Sequence, residues 1–115
     1  MTDSPFADLP EPPYYAVIFS SLKREADQGY SMIAKRMDEL VRQAPGFLGA
    51  ESARRADGFG ITVAYFDSLE AIAGWKANSE HQIAQETGKA RWYEHYEVRI
   101  AKVERAYGKA ESRGV

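Results

Sequence analysis

The sequence predicts an α+β domain of the ferredoxin-like, split βαβ type. Its elements run βαββαβ, with an antiparallel sheet and helices on one face. Three observations carry this. Runs with a period of two and runs with a period of 3.6 follow one another in that order along the chain. Asp57-Gly58 sits between the second and third extended runs, the local signature of a hairpin turn. The first and third extended runs are apolar on both faces, so something is expected to cover the side of the sheet that two helices leave open.

Tyr14 to Leu22 (YYAVIFSSL) is β-branched and aromatic and reads as a buried strand. Tyr15, Val17 and Phe19 share one face, and Ala16 and Ile18 the other. Asp27 to Gln43 follows as a helix. Tyr30, Ile33, Met37, Leu40 and Val41 fall on one stripe, Asp27 is the expected N-cap, and Pro45-Gly46 turns the chain. Phe47 to Arg55 and Phe59 to Phe66 are the hairpin strands. Glu51 and Arg54 are expected on an inner strand, forming ion pairs. Asp67-Ser68-Leu69-Glu70 fits a capping box that starts a second helix at Asp67, with Leu69, Ile72, Ala73 and Lys76 near one stripe and Trp75 and Asn78 at its flank. Ser79-Glu80-His81-Gln82 fits another box. The helix is therefore expected to break near Asn78 and resume to about Thr87, with Gly88 as its stop. Trp92 to Tyr107 is the last strand, with a bulge expected between Ile100 and Val103 where the apolar phase shifts.

A chain of 115 residues has room for one domain. It is expected to span 14–107, between a stiff Pro-rich leader (1–13) and a polar tail (108–115). The leader has no Lys or Arg and no apolar core, so it does not read as a signal peptide, and a cytoplasmic location is expected. A net charge of -2 argues against a nucleic-acid binder. No apolar run approaches the roughly 20 residues that cross a membrane. With no cysteine and two histidines, thiolate metal sites and cysteine nucleophiles are excluded, and no metal or other cofactor is expected. Glycine-rich phosphate loops and the HExxH and GxSxG motifs are absent.

Three segments carry a resemblance: YYAVIF; APGFLGAESARRADGFGITVAYFDSLEAIAGWKANSEH; and RWYEHYEVRIAKVERAY. On these, from about Tyr14 to Tyr107, the chain resembles the antibiotic biosynthesis monooxygenase superfamily of dimeric α+β barrels. The resemblance implies a homodimer and a small aromatic ligand. It also implies one of the family's activities: cofactor-independent oxygenation of quinols, or haem degradation. The quinol oxygenases pair an Asn and a Trp on the second helix, and here Asn78 follows Trp75. The haem-degrading members use an Asn on the first strand, a Trp on the second helix and a later His. Here Ser20 and Ser21 stand in the first strand, and Trp75 and His81 are six residues apart.

Chemistry picks out few side chains. Trp75 offers a flat apolar wall with one N–H donor, or else packs in the core. His81 is one of two side chains that titrate near neutrality, and it is the candidate base that takes a phenolic proton; its plain alternative is a helix first-turn residue. Asn78 or Arg99 would donate to a developing oxyanion. His95 and Arg99 share one face of the last strand and could hold an anionic oxygen, or could join an interface network. Tyr30 adds aromatic surface for a ligand or for the core. The leading expectation is a cofactor-independent monooxygenase with Trp75 as wall and His81 as base. A haem-binding relative and a non-catalytic small-ligand module remain alternatives. A pocket shared by Trp75 and His81 requires a bend at Asn78-Ser79, because six residues of straight helix would set them about 120° apart.

Overall fold

The computed structural model describes residues 4–25 and 29–109. The elements are β1 (Tyr14–Lys23), α1 (Tyr30–Val41), β2 (Phe47–Arg54), β3 (Phe59–Phe66), α2 (Leu69–Ala77), α3 (Ser79–Thr87), a π-helical turn (Gly88–Trp92) and β4 (Tyr93–Val103). The sheet order is β2-β3-β1-β4 and every neighbouring pair is antiparallel. This is the α+β, ferredoxin-like arrangement that the sequence predicts.

Register assigns the faces. Tyr15, Val17, Phe19 and Ser21 pair with Phe66, Ala64, Thr62 and Gly60 of β3. On the other side they pair with Lys102, Ile100, Val98 and Tyr96 of β4. That face meets the helices: Phe66, fully buried, packs with Val41 of α1 and Ile72 of α2, and Tyr15, Val17, Phe47, Ala64, Ala71 and Trp75 close around them. The opposite face carries Ile18, Val63 and Ile61, and Ile61 is 41 % exposed. Part of it is covered by the N-terminal segment. A side chain at Gly49 would meet Ala7 and Leu9, and Ala7 N–H donates to Glu51 at 3.1 Å.

The hairpin forms as expected: Gly58 takes φ +99°, Gly58 N–H bonds Arg55 O, and Asp57 accepts from Phe59 N–H. The structure corrects several local expectations. β2 is an edge strand, not an inner one, and neither Glu51 nor Arg54 forms an ion pair among the described residues. Glu51 instead accepts the Tyr65 hydroxyl at 2.8 Å. Burial, then that carboxylate, pushes the Tyr65 hydroxyl up to about 12. The cap of α2 is Ser68, which accepts Ala71 N–H at 3.0 Å, so Glu70 lies one position too early to close the expected box. The buried stripe of α2 is Ala71, Ile72 and Trp75, while Leu69 is exposed. The helix is apolar on most sides, so its pattern does not choose a face. Gly88 does not stop the chain's helical course; the wide turn from Gly88 carries Trp92 into burial against Tyr30. β4 is regular at Ile100 to Val103 and irregular at its other end, opposite Leu22 and Lys23. The expected Asp27 cap lies outside the described residues.

Candidate functional site

Asn78 ends α2 in an extended conformation (φ -60°, ψ 127°), and α3 begins at the next residue. Its backbone N–H still closes on Trp75 O at 3.1 Å, and its side-chain oxygen accepts His81 N–H at 3.0 Å. Asn78 is thus the N-cap of α3, where the sequence pointed to Ser79. The resulting bend brings the ring of His81 onto that of Trp75, with centroids 4.5 Å apart and planes tilted by 33°. Arg36 of α1 grips Glu80 with two hydrogen bonds of 3.1 Å, which ties the first turn of α3 to α1.

His81 is half-buried, and its Nδ1 is buried with no hydrogen-bond partner among the described residues. Burial lowers its pKa below the ordinary imidazole value, so the ring is neutral at pH 7. A neutral imidazole beside an indole face can accept a proton in a weakly hydrated setting, here at Nε2, because the buried Nδ1 is out of a ligand's reach. Trp75 and Asn78 also line a groove of about 420 Å³ between α1 and α2, with Leu40, Pro45 and Gly74. Asn78 has spent its oxygen on the cap, so only its NH2 group is left to donate to a ligand.

The other sequence candidates are placed elsewhere. His95 and Arg99 pair with Leu22 and Ile18, which puts them on the face away from the helices. The structure therefore separates Arg99 from the Trp75–His81 pair. Glu97 lies on the same face and sits 2.6 Å from His95 Nε2, so a carboxylate already occupies the place proposed for an anionic oxygen. Both are exposed.

Tyr30 stands at the far end of the helix-covered face. Its ring meets Trp92 and Tyr93 edge-on at 5.6 and 5.9 Å. Arg54 reaches the same place from β2. It crosses β3 over Gly60, where a Cβ would come within 2.8 Å of its guanidinium carbon. Its nitrogens donate to Ser21 Oγ at 2.9 Å, to Gly58 O and, weakly, to the Tyr30 hydroxyl at 3.4 Å. Ser21 is buried on the central strand, and Ser20 faces the other way. Burial first, then the hydrogen bond to Tyr30, raises the Tyr93 pKa above its ordinary value. Sequence reasoning missed this Ser21–Tyr30–Arg54–Tyr93 group. Ser21 and Gly60 are small, but so are Ala16, Ser20 and Ala64 in the same strands, so the sequence held no signal that singled the group out.

Comparison with known proteins fits the fold. Residues 13–87 match the family model described as antibiotic biosynthesis monooxygenase. The Bacillus subtilis (strain 168) protein YqjZ, itself uncharacterised, is 60 % identical over 96 residues, 84 % of each chain. SnoaB, a cofactor-independent oxygenase from Streptomyces nogalater, superposes with a TM-score of 0.72 at 12 % identity, over 85 % of this chain and all of its own. Protein SO0527 from Shewanella oneidensis superposes at 0.71 with 14 % identity, over 82 % of this chain and 94 % of its own. The chain belongs to the antibiotic biosynthesis monooxygenase family. Among the described residues no helix is long and apolar enough to cross a membrane.

Proposed function

We propose that the protein is a cofactor-independent monooxygenase that oxidises a small electron-rich phenol or quinol and works as a homodimer. The observation that carries this reading is His81: neutral, its ring set against that of Trp75 at 4.5 Å, with Nε2 as the nitrogen a substrate could reach. His81 takes the hydroxyl proton of the substrate, and the electron-rich phenolate reduces O2 directly. For a phenol going to a quinone, the ring loses two hydrogens and gains one oxygen atom; the second oxygen atom leaves as water. Trp75 forms the apolar wall, and the Asn78 NH2 donates to the developing oxyanion. Membership of the family and the fold shared with an oxygenase support the reaction class.

The homodimer is supported by the sheet face that the helices do not cover. Ile18, Val63 and Ile61 lie there, and Ile61 is 41 % exposed. Soluble monomers rarely leave so much contiguous apolar surface open. Oxygen uptake with a panel of one- to three-ring phenols and quinols tests the activity. Uptake that depends on protein is expected for at least one substrate. Saturable quenching of tryptophan fluorescence with no oxygen uptake across the panel would replace the oxygenase with a binding module.

A further inference from the structure

The geometry points to a second ligand site, for a small aromatic carboxylate, in the cleft between Tyr30 and the Asp57-Gly58 turn. It lies away from the Trp75–His81 pair. Along β3, Gly60 marks this end and Phe66 the core beside Trp75, six residues apart, on the order of 20 Å of strand.

The cleft has a volume of about 300 Å³, the small end of the range for ligand pockets and suited to a single ring. Lys23, Arg24, Arg54 and Arg55 line it against two carboxylates, Glu25 and Asp57. A positive cleft stands out in a chain of net charge -2. Asp57 is already spent on Arg55, at 2.8 Å. Lys23 and Arg54 have no such partner among the described residues: Lys23 donates to Arg24 O, and Arg54 to Ser21, Gly58 and Tyr30 oxygens, all neutral. Neither is ion-paired among the described residues, although Glu25 lines the same cleft, and Arg54 is exposed enough to meet a ligand.

The two cations also crowd one ring. Lys23 Nζ lies 5.0 Å and Arg54 Cζ 5.8 Å from the centroid of Tyr30. Both cations line the cleft beside this ring, so an anion bound against Tyr30 is attracted by both. Arg54 is held there by construction. The missing side chain at Gly60 lets the guanidinium cross β3, and Ser21 Oγ fixes its far edge. The four terminal N–H groups of Arg54 are engaged by Ser21, Gly58 and Tyr30 oxygens, so Arg54 offers a carboxylate its charge, the Lys23 ammonium offers the hydrogen bonds, and a ring attached to the carboxylate finds the aromatic wall of Tyr30.

Titration calorimetry of the full chain with benzoate, and with inorganic phosphate in a parallel run, tests the site without any turnover, so the result is independent of the oxygenase reading. Benzoate is expected to bind the wild type more tightly than phosphate does. Binding should weaken at least tenfold in Arg54→Met, which keeps the stem and loses the charge, and to a lesser extent in Lys23→Met. If Arg54→Met does not fold, amide shifts in the wild type decide: benzoate should move Ser21, Tyr30 and Gly58 and leave Trp75 and His81 in place. No benzoate binding, equal binding to Arg54→Met, phosphate binding as tight as benzoate, or shifts centred on Trp75 would each overturn the proposal.

Discussion

The two ends of the helix-covered face solve opposite problems. At the Trp75 end, three side chains within seven residues of sequence form a weakly polar corner around one unpaired nitrogen. At the Tyr30 end, residues from β1, α1, β2 and β4 assemble a cation whose hydrogen bonds are met by neutral oxygens. Among the described residues, the first end leaves a buried imidazole nitrogen without a hydrogen bond, and the second leaves Lys23 and Arg54 without an ion-pair partner. The difference teaches where to look for chemistry in this fold: a proton acceptor in the apolar corner, an anion in the basic one.

The comparison breaks most completely when the Trp75 end loses its floor. Phe66 is fully buried, and Phe66→Ala should cost about 3–5 kcal/mol in urea unfolding, because it removes the ring on which Val41, Ile72 and Trp75 converge. Gly60→Ala attacks the other end. The added Cβ meets the Arg54 guanidinium at 2.8 Å; that flexible, exposed group swings aside, and the loss is that of its hydrogen bonds to Ser21 and Gly58, about 1–1.5 kcal/mol. Thermal melting should show that loss together with weaker benzoate binding, and the environment of Trp75 should be unchanged.

Asn78→Ala sharpens the contrast more gently. It removes the cap of α3 and should cost about 1 kcal/mol. Asn78→Ser, which can still cap, should recover most of that loss in the same melting experiment.

The smallest effect is on stability against pH. Burial holds the His81 pKa below its unfolded value of 6.5, so the unfolded chain binds more protons in the window between the two. Stability is therefore level above 6.5 and falls as pH drops from there to the folded pKa. Melting temperature in that window should fall less for His81→Phe than for the wild type.

The sequence carried the strands, the hairpin and the helix break because each is written in local pattern: β-branched runs, Asp57-Gly58, and capping residues around Asn78. The bend that joins Trp75 to His81 was legible for the same reason, although the cap is Asn78 and not Ser79. The Arg54 group was not legible. Its members lie up to 72 positions apart, and only the strand order β2-β3-β1 sets Arg54 across Gly60 from Ser21. The face of β4 was readable from alternation, but which face meets the helices is a tertiary fact. Arg99 and His95 therefore looked available to the site and turn out to lie behind the sheet.

The central claim is that His81 is the base, and the most direct measurement is turnover of folded His81→Ala on a phenol that the wild type oxidises. Circular dichroism and sedimentation first establish that the variant keeps its fold and assembly. The account predicts a fall in kcat of roughly 10²-fold or more. It also predicts that the acid limb of the wild-type pH profile, set below 6.5 by the burial of His81, disappears in the variant. Unchanged turnover with the same acid limb would contradict it and take His81 out of the mechanism.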